Sequence, residues 1–355
     1  MHDFVVNTLG VGALMQFFGV PADSVWISVV ACIVPLIYII VFALLAVYAE
    51  RKVSAWIQNR LGPVETGPLG LLQTSADILK LILKEDIVPA AADKKLFVLA
   101  PIIVFTGAYA AMAAFPWSQG YIGADLNVGI FYILAISSLV VAGLLMAGWG
   151  SNNKWSLYGS VRSAAQIISY EIPAGLAVMA AVVAAGTLSM NGIILAQENT
   201  FVGYAFTSPF LFIAFLIYLI ASLAEVNRTP FDLPEAESEL VGGYHTEYTG
   251  MKFAIFFLSE YANMFIVSGI AVTLFLGGWL TPWGSIPTEF LGIPGFAWGA
   301  IIMMVKALFF VFVQIWIRWT LPRFRVDQLM YLCWKILIPA AFICLVGQAA
   351  VETFM

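Results

Sequence analysis

Runs of ~20 apolar residues recur along the whole chain, and at 1.5 Å per residue each is long enough, as a helix, to cross the ~30 Å hydrocarbon core of a bilayer. Eight such runs cover residues 25–48, 96–114, 128–149, 164–187, 210–224, 253–280, 295–317 and 329–351. With 62% hydrophobic and 10% charged residues, the chain has too little polar surface to fold as a soluble body. The expected fold is all-α and polytopic, with about eight transmembrane helices in a single membrane domain over 1–355. Residues 4–20 are a weaker ninth candidate, interrupted by three glycines and Asn7. The start has neither the positive n-region nor the small-residue cleavage site of a secretory signal.

Basic residues set the orientation. With the N-terminus placed outside, fourteen of the sixteen Lys and Arg fall in 49–95, 150–163, 225–252 and 318–328. The alternate gaps, 115–127, 188–209 and 281–294, hold none. The positive-inside rule then puts both termini on the outer face and the four basic loops on the inner one.

Several chemistries drop out. Cys32, Cys333 and Cys344 lie within apolar runs and no C-x-x-C occurs, which argues against an iron–sulfur cluster or zinc site on this chain. His2 and His245 are the only histidines and neither falls in a span, so paired axial haem ligands within the bundle are excluded. There is no phosphate-binding G-x-x-x-x-G-K-[ST] loop, and no nucleic-acid partner is expected. Redox centres and nucleotide energy must come from elsewhere.

Two polar features stand out. Residues 68–86 read PLGLLQTSADILKLILKED, with Gln73, Asp77, Lys80 and Lys84 on one helical face and leucines and isoleucines on the other. This predicts an amphipathic helix in the first inner loop, lying in the membrane interface or packed on the bundle. Residues 225–252 concentrate Glu225, Asp232, Glu235, Glu237, Glu239 and Glu247 against Arg228 and Lys252. Closely spaced acids share protons and titrate as a group. Pro230 and Pro234 restrict that loop, whereas Gly242–Gly243 frees it. Its plainer reading is a solvated face that docks a basic partner. Within the spans, Glu171 and Glu260 each lie about seven residues from the inner end, ~10 Å deep, and Lys306 lies near the midplane. Charges there cost ~2.5 kcal/mol or more and mark either a functional path or a Glu–Lys pair fastening helices. Arg318, Arg323 and Arg325 are expected to act as inner-face anchors.

The segments AERKVSAWIQNRLGP with GLLQTSADILKLILKED, and SLAEVNRTPFDLPEAESELVGGYHTEY, resemble the two signature regions of the H-subunit family of respiratory NADH:quinone oxidoreductase (complex I), the bacterial counterpart of mitochondrial ND-subunit one. GWGSNNKWSLYGSVRSAAQIISYE, FFLSEYANM and WIRWTLPRFRVDQLM are similar as well, so the likeness runs from about residue 34 to 335. Val64 stands where that family usually has Asn, and Thr74-Ser75 replaces a Pro-containing pair.

The resemblance implies a protein without its own redox centre, taking quinone as substrate and forming the membrane side of its chamber. Glu50, Arg51, Asp77, Arg228 and Phe231 would line that chamber. Glu171, Glu225, Asp232, Glu235, Glu237, Glu239 and Glu260 would relay protons. Partners would be cluster-bearing and quinone-head-binding hydrophilic subunits, antiporter-like and small membrane subunits, and lipid. The location would be a bacterial plasma membrane or a mitochondrial inner membrane. Two alternatives stay open: the equivalent subunit of a membrane-bound hydrogenase, and a stand-alone ion carrier.

Overall fold

Polar residues at the edges of the apolar runs decide where several of the helices begin. The computed structural model describes residues 25–119, 121–198, 200, 202–234, 237–281, 289–290 and 293–354. The weak candidate at 4–20 therefore lies outside the described residues. The helices are α1 (Val25–Ile57), α2 (Gln73–Leu83), α3 (Lys94–Ala111), α4 (Gly129–Gly150), α5 (Lys154–Ala185), α6 (Met190–Ala196), α7 (Pro209–Glu225), α8 (Glu237–Leu240), α9 (Gly250–Phe275), α10 (Gly295–Thr320), α11 (Val326–Tyr331) and α12 (Ile338–Phe354). Asp93 caps α3 by accepting from the Lys95 and Leu96 amides at 3.0 and 3.4 Å. Asn153 caps α5 and Ser208 caps α7, the latter followed by Pro209 in the first turn. Each cap satisfies amide donors that the helix itself leaves open. Two short antiparallel hairpins, β1 (Pro116–Ser118) with β2 (Tyr121–Ile122) and β3 (Glu289–Phe290) with β4 (Ile293–Pro294), make up the strand content among the described residues.

Among the described residues, seven helices are long and apolar enough to cross a membrane: α1, α3, α4, α5, α9, α10, and the run from α11 through a π-helical turn, Leu332–Leu337, into α12. The protein is thus an all-α, multi-pass membrane protein. The eighth expected span is α7, equally apolar but only 17 residues long, or ~25 Å.

Two helices depart from their apolar runs. α5 begins at Lys154, ten residues before the apolar stretch at 164. Its early turns bury Ser156, Ser160 and Ser163 and carry the acidic loop on their surface. α9 stops at Phe275, because Gly277 and Gly278 adopt positive φ of 70° and 54° and turn the chain away. The released carbonyls of Leu276, Gly278 and Leu280 accept from Lys306 Nζ of α10 at 2.8, 2.9 and 2.8 Å. Lys306 is therefore a clamp on backbone oxygens, not the partner of a membrane carboxylate that its depth in the sequence invites.

α9 is the most enclosed of the spanning helices. It packs against α1, α2, α3, α5, α7 and α10, which makes it the post around which the bundle is arranged. Close approach elsewhere uses small residues. Gly143 of α4 leaves so little room against Val104 of α3 that a β-carbon would sit 2.5 Å from its methyl. α2 turns Thr74 and Asp77 towards the bundle and leaves Leu79, Ile82 and Leu83 exposed.

Candidate functional site

Three helices enclose an apolar cavity of about 390 Å³. α1 contributes Ile40, Leu44 and Val47, α2 contributes Ile78 and Leu81, and α9 contributes Phe257 and Leu258. Its polar lining includes Arg51, Asp77 and Tyr261. Arg51 and Asp77 form an ion pair at 2.6 Å, holding the amphipathic helix to the end of α1. A cavity of this size with few polar groups suits an apolar ligand carrying a small polar head.

Glu50, Arg228 and Phe231 stand behind that wall rather than in it. Glu50 is 6% exposed and Arg228 4%. Arg228 Nη1 donates to both oxygens of Glu50, at 3.1 and 3.3 Å. Arg318, from the end of α10, donates to Oε1, and the Tyr261 hydroxyl donates to Oε2 at 2.5 Å. The Arg228 guanidinium also lies over the Tyr261 ring, 4.5 Å from its centroid. A carboxylate this deep is tolerable because charge-assisted hydrogen bonds engage both its oxygens. Phe231 packs between Tyr170 and Phe324 and fixes the start of the acidic loop.

The loop itself is strapped at several points. Asp232 pairs with Arg323 at 2.8 Å, and the Phe324 amide donates to the Pro230 carbonyl at 3.0 Å. Burial pushes the Asp232 carboxyl up to about 6, although the Arg323 guanidinium pulls it back down. Glu239 pairs with Arg162 of α5 at 2.6 Å on the surface, and Asn153 donates to Glu247 at 2.6 Å. Gly159 of α5 presses on Gly243, where a β-carbon would come within 2.7 Å of the loop backbone. Glu235 lies outside the described residues. Glu237 opens the short helix α8, with its side chain outside the described set.

Further into the bundle, Glu260 of α9 accepts from the Tyr244 hydroxyl at 2.9 Å and has His245 Nε2 at 3.6 Å. Glu260 and Glu225 line one small void of about 20 Å³, together with Asn227, Ser259 and Asn263. That is room for about one water, with polar groups to hold it. Glu171 lies seventeen residues into α5, half-buried, and its buried Oε1 has no hydrogen-bond partner. Among the described residues no group of three His, Cys, Asp or Glu is placed to hold a metal ion.

The structure thus brings Glu50, Arg228, Phe231 and Asp232 into one buried patch, with Arg51 and Asp77 on the cavity side. Glu225, Glu260 and Glu171 form a second group further into the bundle, with Glu260 close enough to act on the charges of Arg228 and Asp232. Sequence reasoning missed Arg318 and Arg323, taken as membrane anchors, and Tyr261 and Tyr244. The clue was available for Tyr261, since it adjoins Glu260 in FFLSEYANM.

This combination lies within residues 29–349, the stretch over which the sequence profile of the family described as NADH dehydrogenase matches. The chain belongs to that family. It is 57% identical over 327 residues to the H-subunit of the NADH-quinone oxidoreductase of Chlorobaculum tepidum, covering 90% of this chain and 91% of that one. The H-subunit of the Anaeromyxobacter dehalogenans enzyme is 51% identical, with 85% and 76% coverage, and that of Brevibacillus brevis 47%, with 92% and 93%. The match begins within α1 and ends within α12, so every residue named in the cavity and the buried patch lies inside it.

Proposed function

We propose that this chain is the membrane subunit of a proton-pumping NADH:quinone oxidoreductase, in which it forms the membrane side of the quinone chamber and couples quinone reduction to proton translocation. The observation that carries the reading is the apolar cavity, backed by a buried ion cluster and continued inward by carboxylates around a water-sized void. The names of its relatives supply the reaction class. They also favour the quinone enzyme over the hydrogenase alternative.

In this reading the lipoquinone tail runs along Leu44, Ile78 and Leu258, and its head leaves the membrane beside Arg51 and Asp77. The chain carries no electron itself; cluster-bearing subunits deliver them. Asp232 responds to charge created by quinone chemistry because its carboxyl, at about 6, lies close to neutrality. Glu239, Glu237 and Glu235 extend that response along the loop. Glu260, Glu225 and Glu171 carry protons onward to antiporter-like neighbours. Both termini face the outer side of the membrane, with the loops at 49–95 and 225–252 on the inner side.

The test uses the complete complex in sealed vesicles. Leu258→Trp fills the cavity and is expected to cut quinone reduction more than about ten-fold, while NADH oxidation by a soluble artificial acceptor persists. Glu260→Gln is expected to lower proton pumping more than electron flow. Normal quinone reduction by the first variant, or normal pumping by the second, would overturn the corresponding half of the reading.

A further inference from the structure

Among the described residues lining the cavity, Tyr261 is the one that also touches the buried cluster behind it. On the cavity side its ring neighbours Phe257, at 5.3 Å between centroids. On the other side it supports the Arg228 guanidinium at 4.5 Å and donates its hydroxyl proton to Glu50 at 2.5 Å. Displacing this ring therefore removes a charge-assisted hydrogen bond from Glu50 and a cation–π contact from Arg228 together. Arg51 and Asp77, by contrast, are paired with each other across the cavity edge.

Arg228 has somewhere to go when that contact loosens. Its Nε and Nη2 are buried without hydrogen-bond partners, and so is Oδ1 of Asp232, four residues along the same loop. A guanidinium with unused donors that already acts on the charge of a carboxylate with an unused oxygen has a second partner available on the same loop. The backbone between them is already turned, with the Phe231 amide donating to the Arg228 carbonyl at 2.8 Å.

We propose that Tyr261 is a positioning residue that senses occupancy of the cavity and transmits it, through Glu50 and Arg228, to the acidic loop. This rests on the reading of the cavity as the lipoquinone site. A ligand in the cavity packs on the ring, the hydroxyl shifts on Glu50, and Arg228 re-divides its contacts between Glu50 and Asp232. Tyr261 need not touch a reacting atom, and no bond is made or broken at it.

The decisive variant is Tyr261→Phe in the complete complex, which keeps the ring and deletes the hydroxyl. Protons moved per quinone reduced are measured in sealed vesicles, alongside quinone turnover. The expected result is a fall of at least about two-fold in the ratio, larger than the fall in turnover, as loss of a signalling hydrogen bond requires. A merely structural role would lower turnover and assembly and leave the ratio as in the native complex, and that result would overturn the proposal. Should the variant fail to assemble, native complex carrying 13C-tyrosine at position 261 alone carries the test by infrared difference spectroscopy. A quinone-induced tyrosine C–O band supports the proposal, and its absence overturns it. Leu258→Trp separates the two readings. If it leaves quinone reduction normal, the cavity assignment fails. If it blocks reduction while Tyr261→Phe stays fully coupled, the role of Tyr261 alone fails.

Discussion

The two halves of the polar interior are built to opposite specifications. Beside the cavity, Glu50 accepts from Arg228, Arg318 and Tyr261, so both its oxygens are engaged. Deeper in the bundle, Glu171 keeps a buried oxygen without a partner, and Glu225 and Glu260 share a void large enough for water. A carboxylate held on every side fixes geometry, whereas one with an open lone pair and room beside it can take up a proton. The contrast teaches that the number of acids in a membrane protein says less than how completely each is satisfied.

The harshest way to break this contrast is to unpair the tight half. Arg228→Ala leaves Glu50 buried with one guanidinium fewer, and removing one member of a buried ion pair costs ~3–5 kcal/mol. The expected outcome is poor assembly of the complex and early thermal inactivation of what does assemble. Arg318 is a quarter exposed, so Arg318→Ala is expected to cost less, ~1–3 kcal/mol. Native-like thermal stability in Arg228→Ala would mean that the cluster beside the cavity is not the anchor described here.

How much of this was readable beforehand differs between fold and site. Apolar run length reveals the spanning helices, because a bilayer demands ~20 residues whatever they pack against. It misplaces the start of α5, since the serines at 156, 160 and 163 look polar in sequence yet are buried against neighbours. It also misjudges Lys306, whose partners are backbone carbonyls created by a glycine turn about thirty residues away. The acidic loop is legible as a cluster of charge. Its pairing is not, because Glu50 and Arg318 are 268 positions apart and Arg323 and Asp232 are 91 apart. Nothing in local periodicity distinguishes an arginine that anchors a helix end from one that reaches across to a carboxylate.

Asp232 belongs to the tight half yet keeps one buried oxygen without a partner, and it sharpens the contrast through pH. Burial lifts its carboxyl from the usual 3.8 to about 6, so the folded chain binds the proton more tightly than the unfolded one. Stability from this group is therefore greatest below about pH 4 and declines by on the order of 3 kcal/mol as pH rises to about 6, then levels off. Arg323 opposes that decline by favouring the charged form. Its replacement by Met should accordingly matter little near pH 4, where Asp232 is protonated, and cost ~1–2 kcal/mol by about pH 8. Thermal midpoints of native and Arg323→Met complexes across that range give the answer directly. A stability gap that does not widen with pH would show that the pair is not what holds Asp232 in check.

The mildest change should be at the surface. Arg162 and Glu239 are 34% and 55% exposed, and an exposed ion pair at 2.6 Å gives up most of its Coulomb energy to water and salt. Arg162→Gln is expected to alter stability by less than ~1 kcal/mol, with any effect fading at high salt. What it tests is whether the strap matters for coupling. The acidic loop is also held through Asp232, through Asn153 on Glu247, and by the Gly159–Gly243 contact, so losing one exposed strap should leave it in place. Pumping per quinone reduced should stay within about two-fold of native. A collapse of pumping with stability intact would show that the response of Glu239 depends on its pairing with Arg162, and the boundary between the two halves would have to be redrawn at α5.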